Sequence, residues 1–152
     1  MATEREAARR DLVENRRGRF EYEVLEQFEA GIALMGSEVK SLRAGQANLQ
    51  DAWVRVAPDG AWLMACHISP YTEANRWNHE ATRPRRLLLK RPEISRLKKA
   101  TAEKGLTVVP LRFYLQGRLV KCAIAVGRGR KHHDKRHHIR DRDAKREIRN
   151  RD

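Results

Sequence analysis

The sequence predicts a mainly β fold with peripheral helices: a small closed antiparallel barrel followed by a basic tail that is disordered in the free protein. Three observations lead there. Runs of alternating or β-branched residues recur around Gly-containing turns between Arg19 and Gly127; only two stretches have helical spacing; and the last stretch, Lys131 to Asp152, holds just two aliphatic side chains larger than alanine, Ile139 and Ile148. At 152 residues and 40% hydrophobic composition, one core is the expected number. The chain divides into a charged arm (1–17), a patterned body (18–127) and a charged tail (128–152).

Along the body, Phe20, Tyr22 and Val24 alternate with Glu21 and Glu23, the period-two pattern of a half-buried strand, and Gly31 offers a return before Ile32–Met35. A first hairpin is expected there. In "GSEVKSLRAG", Ser37 can cap a short helix, Glu38 suits its positive end, Val39 and Leu42 share a face, and Gly45 can end it left-handed. Asp59-Gly60 supplies a tight turn between two runs rich in Val, Trp and Leu. In "RPEISRLKKATAEKG", Pro92 fits a first helical turn, Ile94, Leu97 and Thr101 share a face, and Gly105 stops the helix. A third hairpin turns at Gln116-Gly117, with Arg118, Val120, Cys122, Ile124 and Val126 on one face. Pro110 cannot donate to a ladder, so its strand should lie at an edge or carry a bulge. About six short strands with two inserted helices point to a barrel of the oligonucleotide-binding type.

The charge demands a counterpart. With 33 Lys and Arg against 20 Asp and Glu, the net charge is +13, and the dense fixed negative charge that could balance it belongs to nucleic acid or to an anionic membrane face. The plain alternative is that the charge only keeps the chain soluble. No run of about 18 apolar residues and no apolar secretory stretch is present, so a cytoplasmic chain that enters no membrane is expected. Cys66 and Cys122 lack zinc or redox spacing and read as packed thiols, with a bridge between them as the alternative.

The tail from Arg128 holds eleven Lys and Arg against five Asp and Glu, and it cannot bury enough apolar surface to offset its ordering entropy. Asp141 with Lys145 and Glu147 with Arg151 are acid-first pairs four apart, so a helix is latent and could form on RNA. His133 and His137 would share a helical face, but the flanking Lys and Arg repel a cation, so no metal and no other cofactor is expected. An imidazole there suits stacking on an unpaired base. Asp51, Asp59 and Glu80 fall in separate predicted loops without the convergence that metal-assisted phosphoryl transfer requires, so an enzyme is not expected. A permanent ribosomal protein would share the basic barrel and tail, and composition alone does not separate it from a transient RNA binder.

Several strings occur together in order: "ENRRGRFEY" (Glu14 to Tyr22), "EAGIALMGSEVKSLRAG" (Glu29 to Gly45), "TRPRRLLL" (Thr82 to Leu89), "KGLTVVPL" (Lys104 to Leu111) and "GRGRKHHDKR" (Gly127 to Arg136). In these strings the chain closely resembles the small protein B (SmpB) family, bacterial proteins that bind transfer-messenger RNA (tmRNA). The resemblance implies an oligonucleotide-binding barrel that holds the tRNA-like domain of tmRNA. It implies entry with elongation factor Tu into the empty A site of a stalled ribosome, with the tail along the decoding centre of the small subunit and the vacant mRNA channel. This is trans-translation; the protein is expected to act as a monomer.

The resemblance carries RNA-facing roles to Asn15, Arg16, Arg19, Glu38, Lys40, Arg43, Leu88 and Lys121. Glu38 would accept hydrogen bonds from base N–H or 2′-hydroxyl donors, or serve only the helix dipole; Leu88 would pack on a splayed base, or sit in the core as one leucine of three. It carries ribosome-facing roles to Gly129, Arg130, Lys131, His133, Asp134, Lys135 and Arg136, with Gly129 as a sharp turn out of the barrel. There are departures from the family pattern. Phe20 replaces a usual histidine, Gly18 a usual alanine, Glu80-Ala81 a common Asp-Pro, and Ala144 a common aromatic, leaving Ile148 as the only late hydrophobic contact.

Overall fold

The computed structural model describes residues 9–71, 78–103 and 105–130. Its elements run β1 (Arg9–Glu14), α1 (Arg16–Glu21), β2 (Tyr22–Ile32), α2 (Gly36–Arg43), β3 (Ala47–Asn48), β4 (Trp53–Ala57), β5 (Gly60–Met64), β6 (His67–Ile68), β7 (Arg85–Leu88), α3 (Arg91–Ala102), β8 (Leu106–Gln116) and β9 (Leu119–Gly129). Seven strands form one antiparallel sheet in the order β1-β8-β9-β2-β7-β5-β4, and β3 pairs with β6 separately. The fold is mainly β with three helices among the described residues, but the sheet is not closed as a barrel. Its end strands differ in fate: β1 takes the second edge of β8 over Arg112 to Gln116, while β4 packs near β8 without a ladder to it. Helix α3 packs on β4, β8 and β9, with Leu97 fully buried.

The inward face of the sheet makes the core. Phe28, Ala30 and Ile32 of β2, Leu63 of β5, Leu87 of β7, Phe113 of β8 and Cys122, Ile124 and Val126 of β9 are all buried there. Each large apolar side chain so removed from water contributes about 1.5–3 kcal/mol. Both cysteines are free thiols in that core, and burial pushes Cys66 up to about 12 against the lowering influence of Arg85, with Cys122 raised for the same reason. No helix of the described residues is long and apolar enough to cross a membrane.

Several local expectations are corrected. The second half of the charged arm belongs to the fold, as β1 and the start of α1, and β9 continues the body to Gly129. Phe20 lies in α1, and β2 passes straight through Gly31, which pairs with Leu88 on one side and Lys121 on the other. A glycine inside a strand marks close approach rather than reversal here; the chain reverses through α2 instead. The second hairpin turns at Pro58-Asp59, since Gly60 already pairs with Ala57. The third turns at Gly117-Arg118, where Gly117 has φ +61, so Arg118 is a turn residue. Ser37 lies inside α2, whose N-cap is Met35, and Gly45 follows the helix at φ +72 as expected. The Pro110 expectation holds in its second form: the strand is interior rather than at an edge, and it carries a bulge between Pro110 and Arg112.

Candidate nucleic-acid interface

Strand β7 alternates strictly: Arg85 and Leu87 are buried, Arg86 and Leu88 are exposed. The two faces of this one strand build the two halves of the site.

On the inner side, Arg85 meets Glu38, and neither side chain has any exposed surface. One carboxylate oxygen of Glu38 accepts from Arg85 Nε at 2.5 Å; the other accepts from Met35 N–H at 2.8 Å, from Arg83 Nε at 3.1 Å and from Arg83 Nη2. Arg85 also donates from Nη1 to the Cys66 carbonyl at 2.5 Å and from Nη2 to the carbonyls of Ala81 at 2.9 Å and Glu80 at 3.4 Å. Burial alone would raise the carboxyl of Glu38, but the hydrogen bonds from Arg83, Met35 and Arg85 overcome it and hold the group below the usual carboxylate range. The expectation that Glu38 offers its oxygens to base or ribose donors is therefore corrected. Both oxygens are occupied inside the protein, and Glu38 fixes α2 to the loop before β7.

Three further bonds dock α2. His79 donates Nε2–H to the carbonyl of Ile68 at 2.8 Å, which leaves Nδ1 to accept from the Ser37 hydroxyl at 2.8 Å. Ser41 donates to the Ser69 carbonyl at 2.6 Å. Lys40 and Arg43 consequently face outward, Lys40 with its ammonium 5.4 Å from the centre of the Tyr71 ring.

On the outer side, Leu88, Gly31 and Lys121 are register neighbours across β7, β2 and β9. Leu88 is 55% exposed, which settles it as a surface leucine beside the buried Leu87. Because Gly31 carries no side chain, a groove of about 380 Å³ opens, lined among others by Arg86, Leu88, Lys90, Ile94 and Lys121. A Cβ at Gly31 would lie 3.1 Å from that of Leu88 and begin to fill it. The groove combines an apolar wall with the cations Arg86, Lys90 and Lys121 and two carboxylates, Glu29, paired with Arg9, and Glu93, which accepts from Lys90 N–H. With both acids engaged, the cations and the apolar wall suit a phosphate and its base face.

The remaining candidates separate. Asn15 is buried rather than RNA-facing: its Oδ1 accepts from Gly18 N–H at 2.9 Å, its Nδ2 donates to the Pro110 carbonyl at 2.8 Å, and so it caps α1 and holds it to the bulge of β8. Gly18 makes room for that cap, since a Cβ there would stand 2.6 Å from Asn15 Nδ2. Arg16 and Arg19 are exposed on α1, outside the lining of the groove. Gly129 extends the ladder opposite Tyr22 without positive φ, so the expected sharp turn is absent there, and Arg130 N–H donates to the Glu21 carbonyl at 2.8 Å. Lys131, His133, Asp134, Lys135, Arg136 and Ile148 lie outside the described residues. Asp51 pairs with Arg17 at 3.6 Å. Sequence reading missed Arg83 and Arg85 as partners of Glu38; their i, i+2 spacing entering a strand was the available signal.

A strongly basic chain whose antiparallel sheet turns a cationic, partly apolar groove outward defines a nucleic-acid-binding β protein. Comparison with known proteins narrows that class. The family model described as SmpB protein matches residues 12–151. An SsrA-binding protein of Synechococcus sp. (strain JA-3-3Ab) is 54% identical over 138 residues, covering 90% of each chain, and one of Carboxydothermus hydrogenoformans is 49% identical over 137 residues, covering 90% of this chain and 92% of its own. A solved structure described as "tmRNA-SmpB: a journey to the center of the bacterial ribosome" superposes with a TM-score of 0.68 at 42% identity, covering 78% of this chain and 84% of that one. The chain belongs to the SmpB family.

Proposed function

We propose that this protein binds transfer-messenger RNA through its tRNA-like domain and carries it to the A site of ribosomes stalled on truncated mRNA. The observation that carries the reading is the outward groove between Leu88 and Lys121, opened by Gly31, on a chain of this family. Leu88 takes a splayed base face, Lys121 a backbone phosphate, and the exposed Arg16, Arg19, Lys40 and Arg43 extend the positive field around it. Glu38 and Asn15 act from beneath, by fixing α2 and α1.

Residues 18–127 grip the RNA in this reading, and residues 128–152, with Gly129, Arg130, Lys131, His133, Asp134, Lys135, Arg136 and Ile148, serve the decoding centre and the empty mRNA channel. The protein works as a cytoplasmic monomer, meets elongation factor Tu through the aminoacylated RNA, and performs no catalysis itself. The test is a pull-down from bacterial lysate with sequencing of the bound RNA. One strongly enriched species with a tRNA-like end is expected, bound with a steep salt dependence; a broad population without it overturns the proposal. Asp134→Ala with Lys135→Ala and Arg136→Ala should leave that binding intact and abolish peptide tagging.

A further inference from the structure

The outer sheet face carries the same side-chain arrangement twice. In one, Arg55, Trp62 and Arg86 are register partners across β4, β5 and β7, with the guanidinium carbons 4.9 and 5.7 Å from the centre of the indole. In the other, Arg9 and Arg112 flank Tyr114 at 4.9 and 5.5 Å. Aromatic faces hold guanidinium planes in fixed orientation at little entropic cost, so both arrangements preset their arginines.

They differ in neutralisation. Arg9 forms an ion pair with Glu29, and Arg112 Nε stands 3.7 Å from Asp11. Among the described residues neither Arg55 nor Arg86 has a carboxylate partner; Arg86 only reaches the Asp59 carbonyl at 3.4 Å. Two oriented, exposed and uncompensated guanidinium groups on one face are an anion site in search of its charge.

The site is also continuous with the groove. Arg86 lines the groove, and Gly60, whose added Cβ would touch both the Trp62 ring and Arg86 Nη2 at 3.6 Å, leaves bare backbone between them. Two residues along β4 from Arg55, on the same face, Trp53 is 43% exposed. From β9 to β4 there are four interstrand spacings, about 19 Å in all.

We propose that the Arg55–Trp62–Arg86 ladder is a second RNA subsite, which receives a single-stranded segment leaving the Leu88–Lys121 groove. Arg55 and Arg86 clamp its phosphates, and Trp53 stacks one of its bases. The proposal rests on the reading that this face binds RNA. The Arg9–Tyr114–Arg112 arrangement, already neutralised, is structural.

The test measures binding of the tRNA-like domain of tmRNA and of a short oligouridylate to full-length protein over a salt series, with thermal unfolding as the folding control. Arg55→Gln should lower the magnitude of the salt slope by about 1, and Arg55→Lys should restore it. Trp53→Ala should weaken oligouridylate binding on the order of fivefold or more. Arg9→Gln should leave the slope unchanged. If Lys121→Ala weakens RNA binding while Arg55→Gln and Trp53→Ala do not, the second subsite is overturned and the groove stands. If the wild-type protein fails to bind either RNA, the functional reading falls and the subsite with it. Loss of ribosome association by Arg55→Gln with RNA affinity untouched would mean that the ladder faces protein, and that too overturns the proposal.

Discussion

Arg85 and Arg86 are adjacent in the chain and identical in chemistry, yet one is fully buried and the other stands in solvent. The pleat of β7 alone separates them. On the inner side a guanidinium is spent on Glu38 and three carbonyls; on the outer side it remains available to an incoming anion. What a charged residue contributes is thus decided by which face of a strand it leaves from, and stability and binding are divided across the thickness of one sheet.

The sharpest way to break that comparison is to truncate each arginine in turn. Arg85→Ala leaves the buried Glu38 carboxylate without a principal partner and should cost about 3–5 kcal/mol in urea unfolding. Arg86→Ala should stay within about 0.5 kcal/mol. Equal costs for the two would refute the division.

Acid gives a second handle on the inner side. Because the folded carboxyl of Glu38 is held below its unfolded value, its contribution is present above the unfolded pKa and is lost as pH falls through the folded one. Stability should therefore decline below about pH 4, near the unfolded value of a glutamate. Glu38→Gln should be weaker at neutral pH and flatter through that acid range, as followed by thermal unfolding against pH.

A smaller stability effect belongs to the cap of α1. Asn15→Ala should cost about 1–2 kcal/mol by removing the Gly18 cap and the Pro110 bond, and Gly18→Ala should act in the same direction by displacing the same amide. Smallest in stability, and decisive for the outer side, is Lys121→Ala. Unfolding should move by no more than about 0.5 kcal/mol, while the salt slope for RNA binding shrinks by about 1.

Much of the local structure was legible. Two of the three expected hairpins came within one residue of their turns, since a two-residue loop needs Gly-containing chemistry, and the two longest helices were announced by Pro92, Gly45 and Gly105. Leu88 could have been assigned to the surface from the alternation of β7. The polar residues misled. Glu38 lies 45 and 47 positions from Arg83 and Arg85, and a carboxylate with two distant partners reads in sequence like any other exposed acid. Asn15 likewise bonds to Pro110, 95 positions away. Gly31 was read as a turn because glycine serves both reversal and close approach, and only the neighbouring strands distinguish the two. Closure of the sheet was illegible because it depends on how β8's edges are shared between β1, β9 and β4.

Because β7 is only four residues long, anchoring and recognition draw on the same short piece of chain. A genetic selection for lost ribosome rescue should return changes at Glu38 and Arg85 mixed with changes at Leu88, all scored alike by phenotype. Cellular abundance would sort them, the first group depleted by proteolysis and the second accumulating at normal levels.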